Sequence, residues 1–140
     1  MHERRIEIRW SDMDAYGHVN NAVYLHYLEE VRDEWFHRVL GGLADTNHFV
    51  LARVAIDFRS ELKQEDGAVL VRCRLARVGG SSVATREEIL KLDGTLSAEA
   101  ESVTVARDPD KLSSRPLTDA ERAALGAELR GDQSRQAVNR

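Results

Sequence analysis

Ile6-Glu7-Ile8-Arg9-Trp10, then Ser11-Asp12-Met13-Asp14-Ala15-Tyr16-Gly17-His18-Val19-Asn20-Asn21, then Ala22 through Leu40: in this stretch two hydrophobic periodicities meet. Over the first five residues apolar side chains alternate with charged ones, the period of a half-buried strand. From Ala22 the spacing changes. Tyr24, Leu28, Val31, Trp35 and Val39 recur at steps of four, three, four and four, one stripe of a helix of about five turns. Asn20 or Asn21 can cap its start, and Gly41-Gly42 can stop it. A strand, a polar connection and a long helix therefore open the chain.

Strand signals follow. Val50, Ala52, Val54, Ile56 and Phe58 alternate with their neighbours, as do Val69, Val71, Cys73 and Leu75, and 82–92 and 95–107 are rich in Val, Thr, Ile and Ser. Glu65-Asp66-Gly67 and Gly79-Gly80-Ser81 are turn chemistry, and Asp93-Gly94 is a two-residue hairpin signal. Three tight connections in succession predict an antiparallel meander of four strands, because parallel neighbours need long crossovers. Thr118-Asp119-Ala120-Glu121 has capping-box spacing ahead of a short C-terminal helix, and Gly131 to Arg140 reads as a polar, flexible tail. The expected class is α+β: a five-stranded antiparallel sheet wrapped around one long central helix. It forms a single domain over residues 1–130, with the tail at 131–140. Such a sheet leaves unpaired edges, so a homodimer, or a dimer of dimers, is expected.

With 140 residues, 42% hydrophobic, the chain can bury one core. Its 24 acidic against 20 basic residues argue against coating a nucleic acid, which needs a basic surplus. No apolar run spans a bilayer, no signal-peptide core opens the chain, and the lone Cys73 forms no internal disulfide. A cytoplasmic protein with no membrane partner is expected.

The connection from Asp12 to Asn21 lies before the helix start, where backbone N–H groups lack partners and the helix dipole is positive. A carboxylate beside it can act as nucleophile or general base, and the amides can hold an oxyanion. Asp14 is the candidate carboxylate, the amides near Asn20 and Asn21 the candidate oxyanion hole, and His18 and Asn20 candidate positioners. The competing reading is structural: Asp, Asn and Gly are common before helices because they cap and turn, and Asp12 can serve only turn amides. As a calcium loop the segment fails at Tyr16 and Val23, and no His has ligand spacing with Asp14 and His18, so no metal is expected. Cys73 reads as a packed core side chain, and Glu29 and Glu30 as surface charges.

The run Arg9 to Asn21, followed by Tyr24, Tyr27, Glu29 and Glu30, resembles the signature of hotdog-fold acyl-CoA thioesterases, in the branch of 4-hydroxybenzoyl-CoA thioesterase. The likeness continues through Ile56-Asp57-Phe58-Arg59 and Gly79-Gly80-Ser81-Ser82, covering roughly residues 4 to 107. It implies hydrolysis of an acyl-CoA or acyl carrier protein thioester, with active sites at a dimer interface. Asp14 would be the reactive carboxylate and the Asn21 N–H the oxyanion donor. Tyr16, His18, Asn20, Tyr24, Arg59, Gly80, Ser81 and Ser82 would be substrate contacts, the last four supplied by the partner's sheet. No cofactor is implied, since coenzyme A belongs to the substrate. Some branches use a Glu of the central helix instead, but Glu29 and Glu30 lie about two turns in. Two other readings stand beside hydrolysis: a non-catalytic acyl-thioester binding module, and a hotdog dehydratase of 3-hydroxyacyl thioesters, which pairs a His with an acidic residue.

Overall fold

The apolar stripe between Tyr24 and Val39 folds as helix α1, Asn21–Leu40, in a computed structural model that describes residues 1–43 and 45–138. Leu28, Val31, Trp35 and Leu40 are fully buried beneath it, with Tyr24, Tyr27 and Phe36 beside them. Truncating a side chain such as Leu28 to Ala would cost about 2–5 kcal/mol. The Asn20 side chain caps the helix by accepting from the Ala22 amide at 2.9 Å.

The strands are β1 (His2–Glu7), β2 (Phe49–Phe58), β3 (Ala68–Val78), β4 (Ser82–Lys91) and β5 (Leu96–Ala106). They form one antiparallel sheet in the order β1-β3-β4-β5-β2, whose inner face packs on α1. Only β3-β4-β5 is a meander, so the four-strand meander expected from turn chemistry is corrected. Glu65-Asp66-Gly67 is not a hairpin. The chain leaves β2 at one edge, crosses the end of the sheet, and turns at Gly67, φ +78°, into β3 beside β1. Turn residues encode a local reversal, not which strand lies across it. Leu62, fully buried, pins the crossing segment: its carbonyl accepts from the Val19 amide at 2.8 Å and its amide donates to the Tyr24 hydroxyl at 3.2 Å.

Two strand readings also change. β1 ends at Glu7, because the Asp12 side chain captures the Arg9 amide and closes a single 3-10 turn at Trp10–Asp12. Ile8 stays buried while Trp10 is exposed. In β2 the register against β5 shifts between Leu51 and Arg53, a bulge at Ala52 that reverses the phase of alternation. Phe49, Val54 and Ile56 therefore face the core, and Val50, Leu51 and Phe58 are exposed along the sheet edge.

The C-terminal helix is longer than expected. Helix α2 spans Asp119–Val138 and includes 131–138, which the sequence had assigned to a tail; residues 139–140 lie outside the described residues. Its capping box forms as predicted, with the Glu121 amide donating to Thr118 Oγ1 and the Thr118 amide to Glu121 Oε1. Tertiary contacts carry it onward: Leu125 is fully buried, Trp35 Nε1 and Arg38 donate to Glu128, and the Leu75 amide reaches buried Asp132. Polar composition gives no sign of such anchors.

Under α1 the core is not uniformly apolar. Arg32 Nη1 donates to Glu87 Oε1 at 2.8 Å and to Ser102 Oγ at 3.1 Å, while Ser102 and Thr85 also donate to the Glu87 carboxylate. Burial pushes the Glu87 carboxyl up, and the Arg32 guanidinium opposes it. Cys73 packs nearby, its thiol pushed up by burial, as a core side chain. An apolar set of the same volume is often as stable or more so, by about 1–4 kcal/mol.

Candidate active site

The connection between β1 and α1 folds back on itself. Met13 and Val19 form an isolated antiparallel bridge, the Asp14 amide donates to the His18 carbonyl at 2.8 Å, and Gly17 takes φ +81° at the tip. That left-handed conformation suits glycine. Asp14 Oδ1 accepts from the Tyr16 amide at 2.8 Å and the His18 amide at 3.2 Å, so one carboxylate oxygen fixes the tip. Every hydrogen bond to this carboxylate among the described residues ends on Oδ1.

Asp12 is placed differently. It is fully buried and takes four donors: the Arg9 amide and the Tyr27 hydroxyl (2.7 Å) on Oδ2, and two guanidinium nitrogens of Arg9 on Oδ1. Burial would raise its carboxyl, but the Arg9 amide, Tyr27 and the Arg9 guanidinium together hold it below the usual carboxylate range. Tyr27 is pushed far up, by its own burial and by the adjacent carboxylate. Asp12 is thus a brace tying the connection to α1, and its carbonyl also accepts from the Asn20 amide.

Asp14, His18, Asn21, Tyr24 and Arg59 line one cavity of about 220 Å³, with Phe58, Ser60 and Glu61 closing its far side. Tyr24 and Phe58 meet edge to face at 5.1 Å. Asn21 is the first residue of α1, so its N–H has no acceptor within the helix. His18 Nε2 lies 3.2 Å from Glu61 Oε2. Five of the expected site residues are therefore brought together.

The rest fall elsewhere. Tyr16 is 84% exposed at the loop tip and does not line the cavity. Asn20 is occupied as the helix cap. Gly80, Ser81 and Ser82 form the β3–β4 turn, where the Ser81 carbonyl accepts from Ala106 and the Gly80 carbonyl from Leu117 and Arg122. Ser82 pairs with Val105 of β5 whereas Phe58 pairs with Ala98, so the turn lies at the opposite end of the sheet, ~23 Å away along the strands. Within one chain it does not meet Asp14. Glu61 and Ser60 were missed. They follow β2 in a segment whose only signal was the turn at its end. Among the described residues no three His, Cys, Asp or Glu side chains cluster as metal ligands.

Residues 8–125 match the thioesterase-like superfamily, most of the chain and all of the cavity. The chain belongs to this family. It is a thioesterase by membership, with the five-stranded hotdog architecture already described. An acyl-CoA thioester hydrolase, YbgC of Escherichia coli O6:H1, is 25% identical over 116 residues, covering 80% of this chain and 86% of that protein. A thioesterase of Thermus thermophilus, crystallised with coenzyme A and zinc, superposes with a TM-score of 0.82 at 30% identity. That alignment covers 91% of this chain and 93% of the other. A 1,4-dihydroxy-2-naphthoyl-CoA thioesterase of Synechocystis shares the fold, with a TM-score of 0.75 at 19% identity over 89% of this chain and 95% of its own. No helix among the described residues is long and apolar enough to cross a membrane.

Proposed function

We propose that the chain hydrolyses acyl-CoA thioesters, with Asp14 as the reacting carboxylate and the Asn21 N–H as oxyanion donor. One observation carries the reading: a carboxylate with one oxygen held by two amides lines the same cavity as the start of a twenty-residue helix. The carbonyl oxygen of the substrate would accept from Asn21, where the helix dipole stabilises the charge that develops on attack. Asp14 then either attacks the carbonyl carbon, expelling the thiolate and leaving a mixed anhydride that water cleaves, or takes a proton from water that attacks directly. Both routes consume one water and release an acid and a thiol, using only groups of this chain. Coenzyme A is the thiol carrier, and acyl carrier protein is the alternative in the same assay.

The edge strand supports a two-fold dimer. Val50, Leu51 and Phe58 on β2 and Leu25 on α1 are large apolar side chains that the single chain leaves exposed. Two β2 strands related by a two-fold axis run antiparallel, setting the Phe49 end of one against the Phe58 end of the other. Because Phe49 pairs with Ala106 next to the Ser81 carbonyl, that arrangement carries the Gly80–Ser82 turn of a second copy toward Asp14.

The test is thiol release across short, long and aromatic acyl-CoAs and acyl carrier proteins. Asp14→Asn is expected to fold and assemble normally and to lose ~10²–10⁴-fold in turnover; retention of most turnover overturns the assignment. One observation favours a second reading: the His18–Glu61 pair in the cavity is the His-with-carboxylate combination of a dehydratase. Water loss from a 3-hydroxyacyl-CoA, abolished by Glu61→Gln, would establish it in place of hydrolysis.

A further inference from the structure

The cavity beside Asp14 has two walls that belong to different parts of the fold. Asp14, His18, Asn21 and Tyr24 ride with α1, because the Tyr27 hydroxyl and the Asn20 amide both bond to Asp12. Arg59 and Ser60 ride with β5: their amides donate to the Ser97 carbonyl at 2.8 and 3.1 Å, and Ser97 Oγ donates to the Ser60 carbonyl at 2.7 Å. Close to the cavity the two walls are joined at Leu62, through Val19 and Tyr24. Farther along, α1 meets the sheet through apolar side chains, and apolar packing has no direction. Held at one point, a helix on such a surface can pivot.

The second point is Arg32. It lies eleven residues beyond Asn21 on the same face of α1, ~16 Å along the axis. Ser102 lies five residues beyond Ser97 on β5, ~17 Å along that strand. Arg32 Nη1 closes these two rails of nearly equal length, donating to Ser102 Oγ at 3.1 Å and to Glu87 Oε1 on β4 at 2.8 Å. Among the described residues these are the only buried hydrogen bonds between α1 and a strand. Glu87 is fully buried and Arg32 nearly so, a costly place for two charges that an apolar set would fill at least as stably. What the charged set adds is direction. We propose that Arg32, through Glu87 and Ser102, is a positioning residue for hydrolysis: it fixes the direction of α1 across the sheet and so aims the Asn21 N–H at the thioester carbonyl. The proposal rests on the thioesterase reading above and deepens it.

The test pairs thiol release with melting curves and NMR. Arg32→Met combined with Glu87→Leu replaces both charges by apolar side chains of similar size. This variant should melt no lower than wild type, yet lose about tenfold or more in kcat for an acyl-CoA while KM stays within about threefold. A pair that only stabilised the fold would show the reverse, a lower melting temperature and an unchanged kcat in the folded protein. Arg32→Lys keeps a cation with several donors in reach of Glu87 and should hold kcat within about threefold of wild type. In the double variant the Asn21 amide resonance should move, and the contact between the Tyr24 and Phe58 rings, 5.1 Å apart in wild type, should weaken. Ser102→Ala leaves the ion pair in place; it should shift the same resonance and lower kcat about threefold, and it decides the matter if the double variant does not fold. Wild-type kcat in the folded double variant, or an unmoved Asn21 resonance in Ser102→Ala, overturns the proposal. If wild type releases no thiol from any thioester, the hydrolase reading fails by itself, and the resonance and the ring contact still report whether Arg32 aims α1.

Discussion

Asp12 and Asp14 stand two residues apart in one connection, and the structure gives them opposite fates. Asp12 is fully buried and takes four donors from Arg9 and Tyr27. Asp14 is half-buried, gives one oxygen to two loop amides, and lines the cavity at the start of α1. A carboxylate saturated with donors is a poor base and a poor nucleophile, since its lone pairs are committed and its charge is compensated. One with an oxygen to spare, beside a helix N-terminus, can react. The acid is chemically the same in both places, and its hydrogen-bond complement separates brace from reactant.

Exchanging the two kinds of damage breaks this contrast most sharply. Asp14→Asn should remove ~10²–10⁴-fold of turnover with the melting temperature nearly unchanged. Asp12→Ala should instead cost about 3 kcal/mol of stability, because the Tyr27 hydroxyl and the Arg9 amide lose a charged acceptor in the interior. That corresponds to a melting temperature lower by on the order of 10 °C. Thermal unfolding alongside thiol release reads both. A large loss of turnover in folded Asp12→Ala, without the stability loss, would make Asp12 the reactive group.

Tyr27→Phe removes one of the four donors and should cost about 1–2 kcal/mol. It also changes the response to acid. The native Asp12 carboxyl binds its proton at lower pH than the unfolded chain's, whose value is ~3.9. Its contribution is therefore complete above that pH and drains away as pH falls through the native value. Tyr27→Phe moves the native value back toward 3.9, so between pH 7 and 3 the variant should lose less stability than wild type. Melting curves taken across that interval check it; a steeper acid loss in the variant removes Asp12 from the account.

The local parts of this architecture were legible, and the global ones were not. Periodicity located α1 within a residue and found the three central strands, because each pattern reports a face turned to the core. The capping box at Thr118 and the reach of the Asp12–Asn21 connection could be read because caps act over three or four residues. Pairing partners were hidden: nothing in Glu65-Asp66-Gly67 says that β2 lies four strands away from β1, and the bulge at Ala52 reverses a phase that looked unbroken. Glu61 entered the cavity only through that crossing. Nothing in the sequence singles out Arg32, since a buried guanidinium is explained by its partner Glu87, fifty-five residues away.

The smallest expected effect separates Asn20 from Asn21, neighbours that the motif presents as a pair. Asn20 is exposed, does not line the cavity, and spends its side-chain oxygen on the Ala22 amide. Asn20→Ala should therefore cost about 1 kcal/mol as a lost cap, and Asn20→Asp, which can cap equally well, should restore it. Both should leave KM for an acyl-CoA within about twofold of wild type once the protein is folded. Asn21 donates through its backbone, so Asn21→Ala should change stability and turnover little while keeping the oxyanion donor in place. If Asn20→Asp recovers full stability but raises KM severalfold, the side chain touches substrate as well as the helix, and the division between brace and site shifts by one residue toward α1.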